Sequence, residues 1–163
     1  MSRLQAIPRP RPISYQQLPR FFRPKLKAAD QLRAGIIHWD LISQFTAGSA
    51  TQHILWDWIE TGLTYCQMMQ LLTADGLAFE PEAVEAMNAQ IKSYDAVIAR
   101  YRTTRRVGFN AAELATARAA ALVMDALLTL DRNGIADQAG RWAVAQMQAL
   151  RRTGQLARQG KKP

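Results

Sequence analysis

The chain of 163 residues contains a single cysteine, Cys66. One cysteine cannot form an intramolecular disulfide, and it cannot build a cysteine-based zinc site. These absences exclude both a disulfide framework and a cysteine-rich zinc fold. We expect Cys66 to pack as a small hydrophobic side chain.

Long hydrophobic runs are also missing. No window holds the roughly eighteen uncharged apolar residues that a transmembrane helix requires. The first residues include arginines but no continuous apolar stretch of signal-peptide length. We therefore expect a cytoplasmic protein that does not associate with membranes. With 48% hydrophobic residues, the chain can bury the core of one domain.

Strand signals are nearly absent, because β-branched residues are sparse and never alternate over five positions. Apolar residues recur instead at helical spacing, which predicts an all-α fold, a five-helix bundle built from antiparallel helical hairpins. Five prolines precede residue 25 and argue against a helix there. We expect an extended Pro/Arg-rich arm at residues 1–24, one helical domain at 25–153 and a basic tail at 154–163.

Local signals set the expected helix ends. Two pairs, Ser49 with Gln52 and Asn110 with Glu113, have capping-box spacing, and Pro81 suits the first turn of the third helix. The first helix is expected to run from Lys25 to about Phe45, the second to about Thr73 and the fifth from Ile135 to about Arg152. The apolar face of the first helix should hold Leu26, Ala29, Leu32, Ile36, Ile37 and Leu41, and the fifth should bury Ala139, Trp142, Ala143 and Leu150.

The apolar arc of the second helix is too wide for one neighbouring helix. It predicts either a central position in the bundle or a surface shared with a second chain, so a homodimer is one expectation for the assembly.

Charge is unevenly distributed along the chain. Residues 1–33 carry a net charge of +7, residues 34–91 carry −7 without one lysine or arginine, and residues 92–163 carry +8. Oppositely charged regions can steer partners of definite charge. The alternative explanation is that residues 34–91 are largely buried and need few charges.

Motifs that specify a reaction are absent: the sequence has no P-loop, GxGxxG, HExxH, CxxC or nucleophile elbow. We expect a non-enzymatic protein without a cofactor or metal. One arrangement leaves an enzymatic function open. His53, Asp57 and Glu60 share a helix face at i, i+4 and i+7, and they could bind a metal or exchange protons. His38 and Asp40 could lie near them across the hairpin. A solvated polar face accounts for the same spacing.

Basic segments predict nucleic-acid binding. Arginine suits phosphate, and the arm also contains aromatic residues that can stack on bases. The expected contacts are Arg9, Arg11, Arg20, Arg23, Lys25 and Lys27 of the arm, and Arg100, Arg102, Arg105 and Arg106 at the end of the third helix. The arm could equally dock on its own domain or on an acidic protein, and cations at a helix C-terminus are favourable without any ligand.

The alternative function is a protein–protein adaptor or inhibitor. Trp56 lies at the margin of the apolar arc of the second helix, where a tryptophan serves either core packing or an interface. In this interpretation the hydrophobic hairpin and the acidic middle region bind the partner while the arm wraps it. The expected interface residues are Trp39, Trp56, Phe21 and Phe22.

Overall fold

The computed structural model describes residues 28–159, with side chains from 31 to 152. Within that range the fold is all-helical and contains no strand. The helices are α1 (Ala28–Thr46), α2 (Gln52–Ala74), α3 (Pro81–Thr104), α4 (Ala111–Thr129) and α5 (Ile135–Gln159). The arm and residues 160–163 lie outside the described residues, as does Lys25, where the first helix is expected to start. Helix α5 continues past the expected end at Arg152, into the stretch assigned to the tail.

Helix α2 lies at the centre of the fold, where it contacts each of the other four helices. Its buried side chains extend along its whole length, from Leu55 to Leu72. This central position corresponds to the first of the two alternatives for its wide apolar arc. Helix α1 packs mainly on α4, whereas α5 packs on α2.

The relative direction of α2 and α5 follows from which of their ends share a hydrophobic cluster. Met147 of α5 packs with Leu55 and Trp58 near the start of α2. Ile135 of α5 instead packs with Leu72 near the end of α2. Helices α2 and α5 are therefore antiparallel, and α5 ends at the end of the bundle where α2 begins.

Two of the expected helix starts are confirmed. Asn110 accepts a hydrogen bond from the Glu113 amide at 2.8 Å, and the Glu113 carboxylate accepts one from the Asn110 amide at 2.8 Å. This reciprocal pair satisfies two backbone donors that the helix leaves free. Helix α3 begins at Pro81, which has no amide hydrogen to leave unpaired.

The expected capping box at Ser49 and Gln52 is wrong. The amide and hydroxyl of Ser49 both donate to the Gln44 carbonyl, so Ser49 closes α1 instead of opening α2. Gly48 permits this turn with a φ of 70°. Thr51 caps α2, and its hydroxyl accepts a hydrogen bond from the Ile54 amide at 3.4 Å.

The expected face of α1 is only partly correct, because Leu41 is buried as expected but the buried side is rotated. The side chains of Leu26 and Ala29 lie outside the described residues. Leu32, Ile36 and Ile37 are 67%, 58% and 54% exposed. The face that packs on the core holds His38, Leu41, Ile42 and Phe45. Phe45 determines this orientation, because its ring stacks on Phe109 and packs against Trp58.

Two of the four residues that α5 was expected to bury are confirmed. Ala139 and Ala143 are fully buried and Met147 is 2% exposed. Trp142 and Leu150 are 38% and 54% exposed, so their predicted burial is wrong. Small alanines allow close approach to α2.

Gly62 of α2 lies so close to α3 that the structure has no room for a side chain at this position. A Cβ atom at this position would lie 1.6 Å from the Tyr94 hydroxyl oxygen and 2.6 Å from Gln90 Nε2. We expect Gly62→Ala to lower the free energy of unfolding by about 1–3 kcal/mol, because overpacking outweighs the gain in helix propensity. Gly140→Ala is the matched control, since nothing lies within 4 Å of its Cβ. Urea unfolding should show Gly140→Ala unchanged or stabilised, and a stable Gly62→Ala would contradict the packing.

Candidate functional site: an arginine-rich end and an apolar groove

The end of α3 supplies exposed arginines. Arg102, Arg105 and Arg106 are all exposed, and within residues 31–152 none of them has an acidic partner. Arg105 adopts a left-handed backbone conformation with φ of 58°, and its guanidinium carbon lies 5.8 Å from the centre of the Tyr101 ring. Three of the four arginines expected to bind nucleic acid at this helix end are thus accessible to a ligand.

Arg100 differs from its neighbours, because it holds the α3–α4 connection. Its guanidinium donates to the Gly108 carbonyl at 2.6 Å and forms an ion pair with Glu113. The Glu113 side chain is 8% exposed, whereas that of Arg100 is 32% exposed, so the carboxylate is the buried side of this pair. Removal of Arg100 would leave the buried carboxylate without its cation. These bonds give Arg100 a structural role instead of the expected position on the binding surface.

Two further arginines, from α5, lie at the same end of the bundle. The Tyr101 hydroxyl donates to Gln52 Oε1 at 2.9 Å, which places the end of α3 beside the start of α2. Because α5 runs antiparallel to α2, exposed Arg151 and Arg152 reach this end as well. We call Arg102, Arg105, Arg106, Arg151 and Arg152 the arginine end. Sequence reasoning did not join the two groups, because the antiparallel contact of α5 with α2 was not predicted.

The histidine and acidic residues of α2 lie on an open surface. His53 is 80% exposed, and its Nε2 lies 3.4 Å from an Asp57 carboxylate oxygen. Asp57 is 40% exposed, which leaves this pair in water. Among the described residues, no group of three or more His, Cys, Asp and Glu side chains is arranged to hold a metal ion. The geometry fits the polar-face interpretation of the i, i+4, i+7 spacing.

His38 does not lie near His53, contrary to expectation, but packs inside the bundle. Its Nε2 lies 2.8 Å from Asp125 Oδ1 of α4, and the Trp39 indole donates to Asp125 Oδ2 at 2.9 Å. The imidazole is 2% exposed, and its ring contacts Tyr65 edge-on. Asp125, a residue that sequence reasoning missed, therefore satisfies two donors of α1. Asp40 instead accepts a hydrogen bond from Gln44 on the exposed side of α1.

A histidine oriented by a carboxylate resembles part of a catalytic dyad, but this one lacks access to a substrate. Its second nitrogen, Nδ1, is buried and has no hydrogen-bond partner among the described residues. The imidazole lines a small enclosed void together with Thr61 and Gln90. The geometry supports a structural role for His38 in joining α1 to α4.

Cys66 is half-buried, and burial raises the pKa of its thiol to about 11. A thiol with a raised pKa stays protonated at neutral pH and is a poor nucleophile. This environment agrees with packing as a hydrophobic side chain.

An apolar groove lies between α1 and α4. Its volume is about 540 Å³, and its apolar lining comes from Leu32, Ile36, Trp39 and Leu128. Trp39, one of the expected interface residues, is half-buried here and anchored by Asp125. Trp56 is also half-buried, but it packs against the core cluster around Trp58. Phe21 and Phe22 lie outside the described residues, as do the six arm cations from Arg9 to Lys27.

Comparison with known proteins provides no family for this chain: no family model, curated protein or solved structure matches it. In the part of the chain that the structure describes, no helix is both long and apolar enough to cross a membrane.

The buried His38 predicts a pH-dependent stability. Burial lowers its pKa below the ordinary value of 6.5, and the charge and hydrogen bond of Asp125 only partly offset this effect. Below pH 6.5 the unfolded chain therefore binds more protons at this residue than the folded chain does. Stability should fall as the pH drops from about 7 to 5.5, with a slope of at most about 1.4 kcal/mol per pH unit from this group.

Urea unfolding across this pH range checks the assignment. His38→Gln retains a donor for Asp125 but removes the titrating group, so the pH slope should become smaller. His53→Gln, which removes an exposed histidine, should keep the slope of the natural protein. An identical slope in His38→Gln and the natural protein would contradict the buried neutral imidazole.

Proposed function

We propose that the protein is a non-enzymatic binding protein that engages nucleic acid through phosphate contacts. The observation that supports this function best is the arginine end, where two segments far apart in sequence present five exposed arginines. Guanidinium groups form paired hydrogen bonds with phosphate oxygens and stay charged at every physiological pH. Several such groups at one end can follow a nucleic-acid backbone without reading its bases.

The arm extends this proposal beyond the helical bundle. Its six expected contact residues, from Arg9 to Lys27, are accompanied by Tyr15, Phe21 and Phe22. Lysine and arginine would neutralise phosphates, and the aromatic rings would stack on unpaired bases or enter a groove. The cytoplasm is the compartment we propose for this activity.

A protein–protein role is the second candidate. The exposed surfaces of Leu32 and Ile36 favour it, since contiguous exposed apolar surface commonly marks an interaction site. The adaptor or inhibitor would present the groove beside Trp39, with the acidic residues 34–91 and the arm completing the contact. A second copy of the chain, giving a homodimer, is one partner of this kind.

The arginine end can be tested by charge removal. Arg102→Gln with Arg106→Gln leaves the Arg105–Tyr101 contact and the Arg100–Glu113 pair intact. If both arginines contact duplex phosphates, the slope of log affinity against log salt should become smaller by about 1.8. Fluorescence anisotropy with labelled duplex and single-stranded oligonucleotides measures this slope.

The matched control is Lys92→Gln with Arg118→Gln, two exposed cations outside the arginine end. This variant has the same net charge as the test variant and should keep most of the slope. Equal losses in the two variants would indicate a nonspecific effect of net charge. No binding by the natural protein at low salt would exclude the proposal and favour the protein partner.

The contribution of the arm is tested separately. Removing residues 1–24 deletes five cations, and it should weaken binding and reduce the salt slope. Circular dichroism and unfolding of the truncated chain control for loss of structure. Unchanged affinity and slope would show that the arm does not contact nucleic acid.

A further inference from the structure

The α1–α4 groove is a second apolar face of α1, separate from the one that packs on the core. His38, Leu41, Ile42 and Phe45 form the core-facing side. Leu32, Ile36 and Trp39 lie on a different side of the same helix and line the groove. Isolated exposed apolar residues are common at protein surfaces, but contiguous ones that line a concave site indicate a binding surface.

The opposite wall of the groove is also partly apolar. Leu128 of α4 contributes its side chain to this wall, and Gly35 keeps α1 open at this point. A Cβ at Gly35 would lie 3.5 Å from Asp125 and 3.8 Å from Leu128. The missing side chain therefore leaves space between the two helices at this point.

Charge around the groove selects a cationic ligand. Two carboxylates, Asp40 and Asp125, line it, and among the described residues no lysine or arginine does. Asp125 is 42% exposed even though it accepts hydrogen bonds from His38 and Trp39. A segment with aromatic or aliphatic anchors between arginines or lysines would match both the apolar floor and these carboxylates.

A segment of this kind directly precedes α1, the helix that forms one wall of the groove. Residues 18–27 contain two adjacent phenylalanines, Phe21 and Phe22, between four cations and without an acid. Helix α1, which forms one wall, begins at Ala28. Leu32 lies only about 6 Å along the helix from this point. Six extended residues span up to roughly 20 Å, so Phe22 can reach the groove after the chain reverses its direction.

We propose that Phe21 and Phe22 of the same chain occupy the α1–α4 groove, with neighbouring cations beside Asp40 and Asp125. Covalent attachment favours this occupant, since a short tether gives an effective concentration on the order of millimolar. A free partner would have to compete with that concentration. Docking of this segment does not depend on nucleic-acid binding, and while Phe21 and Phe22 are docked, Tyr15 is the arm residue left to stack on a base.

Nuclear magnetic resonance of the full chain tests the proposal. The reporters are the methyl groups of Ile36 and Leu128 and the indole N–H of Trp39, with the Leu122 methyls as a reference. Leu122 lies on α4 but does not line the groove, and it is 64% exposed. Phe21→Ser with Phe22→Ser should shift the groove signals and leave the Leu122 signals in place.

The matched control is Ile13→Ser with Tyr15→Ser, which removes two apolar residues of the arm outside the docking segment. This variant should keep the groove signals of the natural protein. Neither variant changes a residue of the five helices, and circular dichroism checks that both remain folded. Identical groove signals in the natural chain and in Phe21→Ser with Phe22→Ser would overturn the proposal.

Dilution distinguishes the chain's own arm from that of a second copy. Intramolecular docking predicts groove signals that do not change with protein concentration, together with a monomeric mass by light scattering. Signals that move on dilution as a dimer dissociates would overturn the intramolecular proposal in favour of exchange between two chains. Nucleic-acid affinity is a separate readout, because groove signals can respond to Phe21→Ser with Phe22→Ser even if the protein binds no oligonucleotide.

Discussion

An aromatic cluster at one end of the bundle determines how the helices are oriented. Phe45 and Phe109 stack with ring centres 4.1 Å apart, and Trp58 packs edge-on against Phe109 and Tyr94 at 5.0 and 4.6 Å. These four rings come from α1, α2, α3 and the α3–α4 connection. Burial of such large side chains dominates the energetics of a small core. Both candidate surfaces depend on this cluster, since it turns Phe45 inward and thereby turns Leu32 and Ile36 outward.

The cluster also positions the arginine end. Phe109 and Val107 are held against the core, so the connection between α3 and α4 follows the surface of the aromatic cluster. Arg100 secures this connection through the Gly108 carbonyl and Glu113. The neighbouring arginines are then left exposed at the end of α3. A single packing arrangement therefore explains why Arg100 is structural while Arg102 and Arg106 remain accessible.

The sequence predicted features that depend on nearby residues. Pro81 and the Asn110–Glu113 box act within one helical turn, so their residue types largely determine the outcome. Features that depend on distant residues were missed. The His38–Asp125 contact joins residues 87 apart, and the rotation of α1 depends on Phe109, which lies beyond two further helices. Helix α1 has two apolar faces, and only tertiary packing selects the buried one.

The distribution of charge along the sequence also differs from its distribution in the folded structure. Residues 34–91 lack cations partly because they include α2, the central helix, whose long buried face needs no charge. The exposed Glu80 and Glu82 lie where α3 begins, and carboxylates there interact favourably with the helix dipole. Burial thus accounts for part of the lack of cations, and the helix dipole accounts for two of the seven acids. The segregation that bears on the proposed binding is spatial, with arginines from α3 and α5 at one end of the bundle.

The groove and the arginine end are connected through the direction of α1. Helix α1 begins at the end of the bundle opposite the arginines, and its 19 residues span about 28 Å toward them. In the proposed docking, the segment that holds Phe21 and Phe22 would lie antiparallel to α1, so the chain before it would leave the groove on the side of the arginine end. Docking by aromatic anchors would in this way bring cations of the arm closer to those of the bundle, so that one phosphate backbone could contact both.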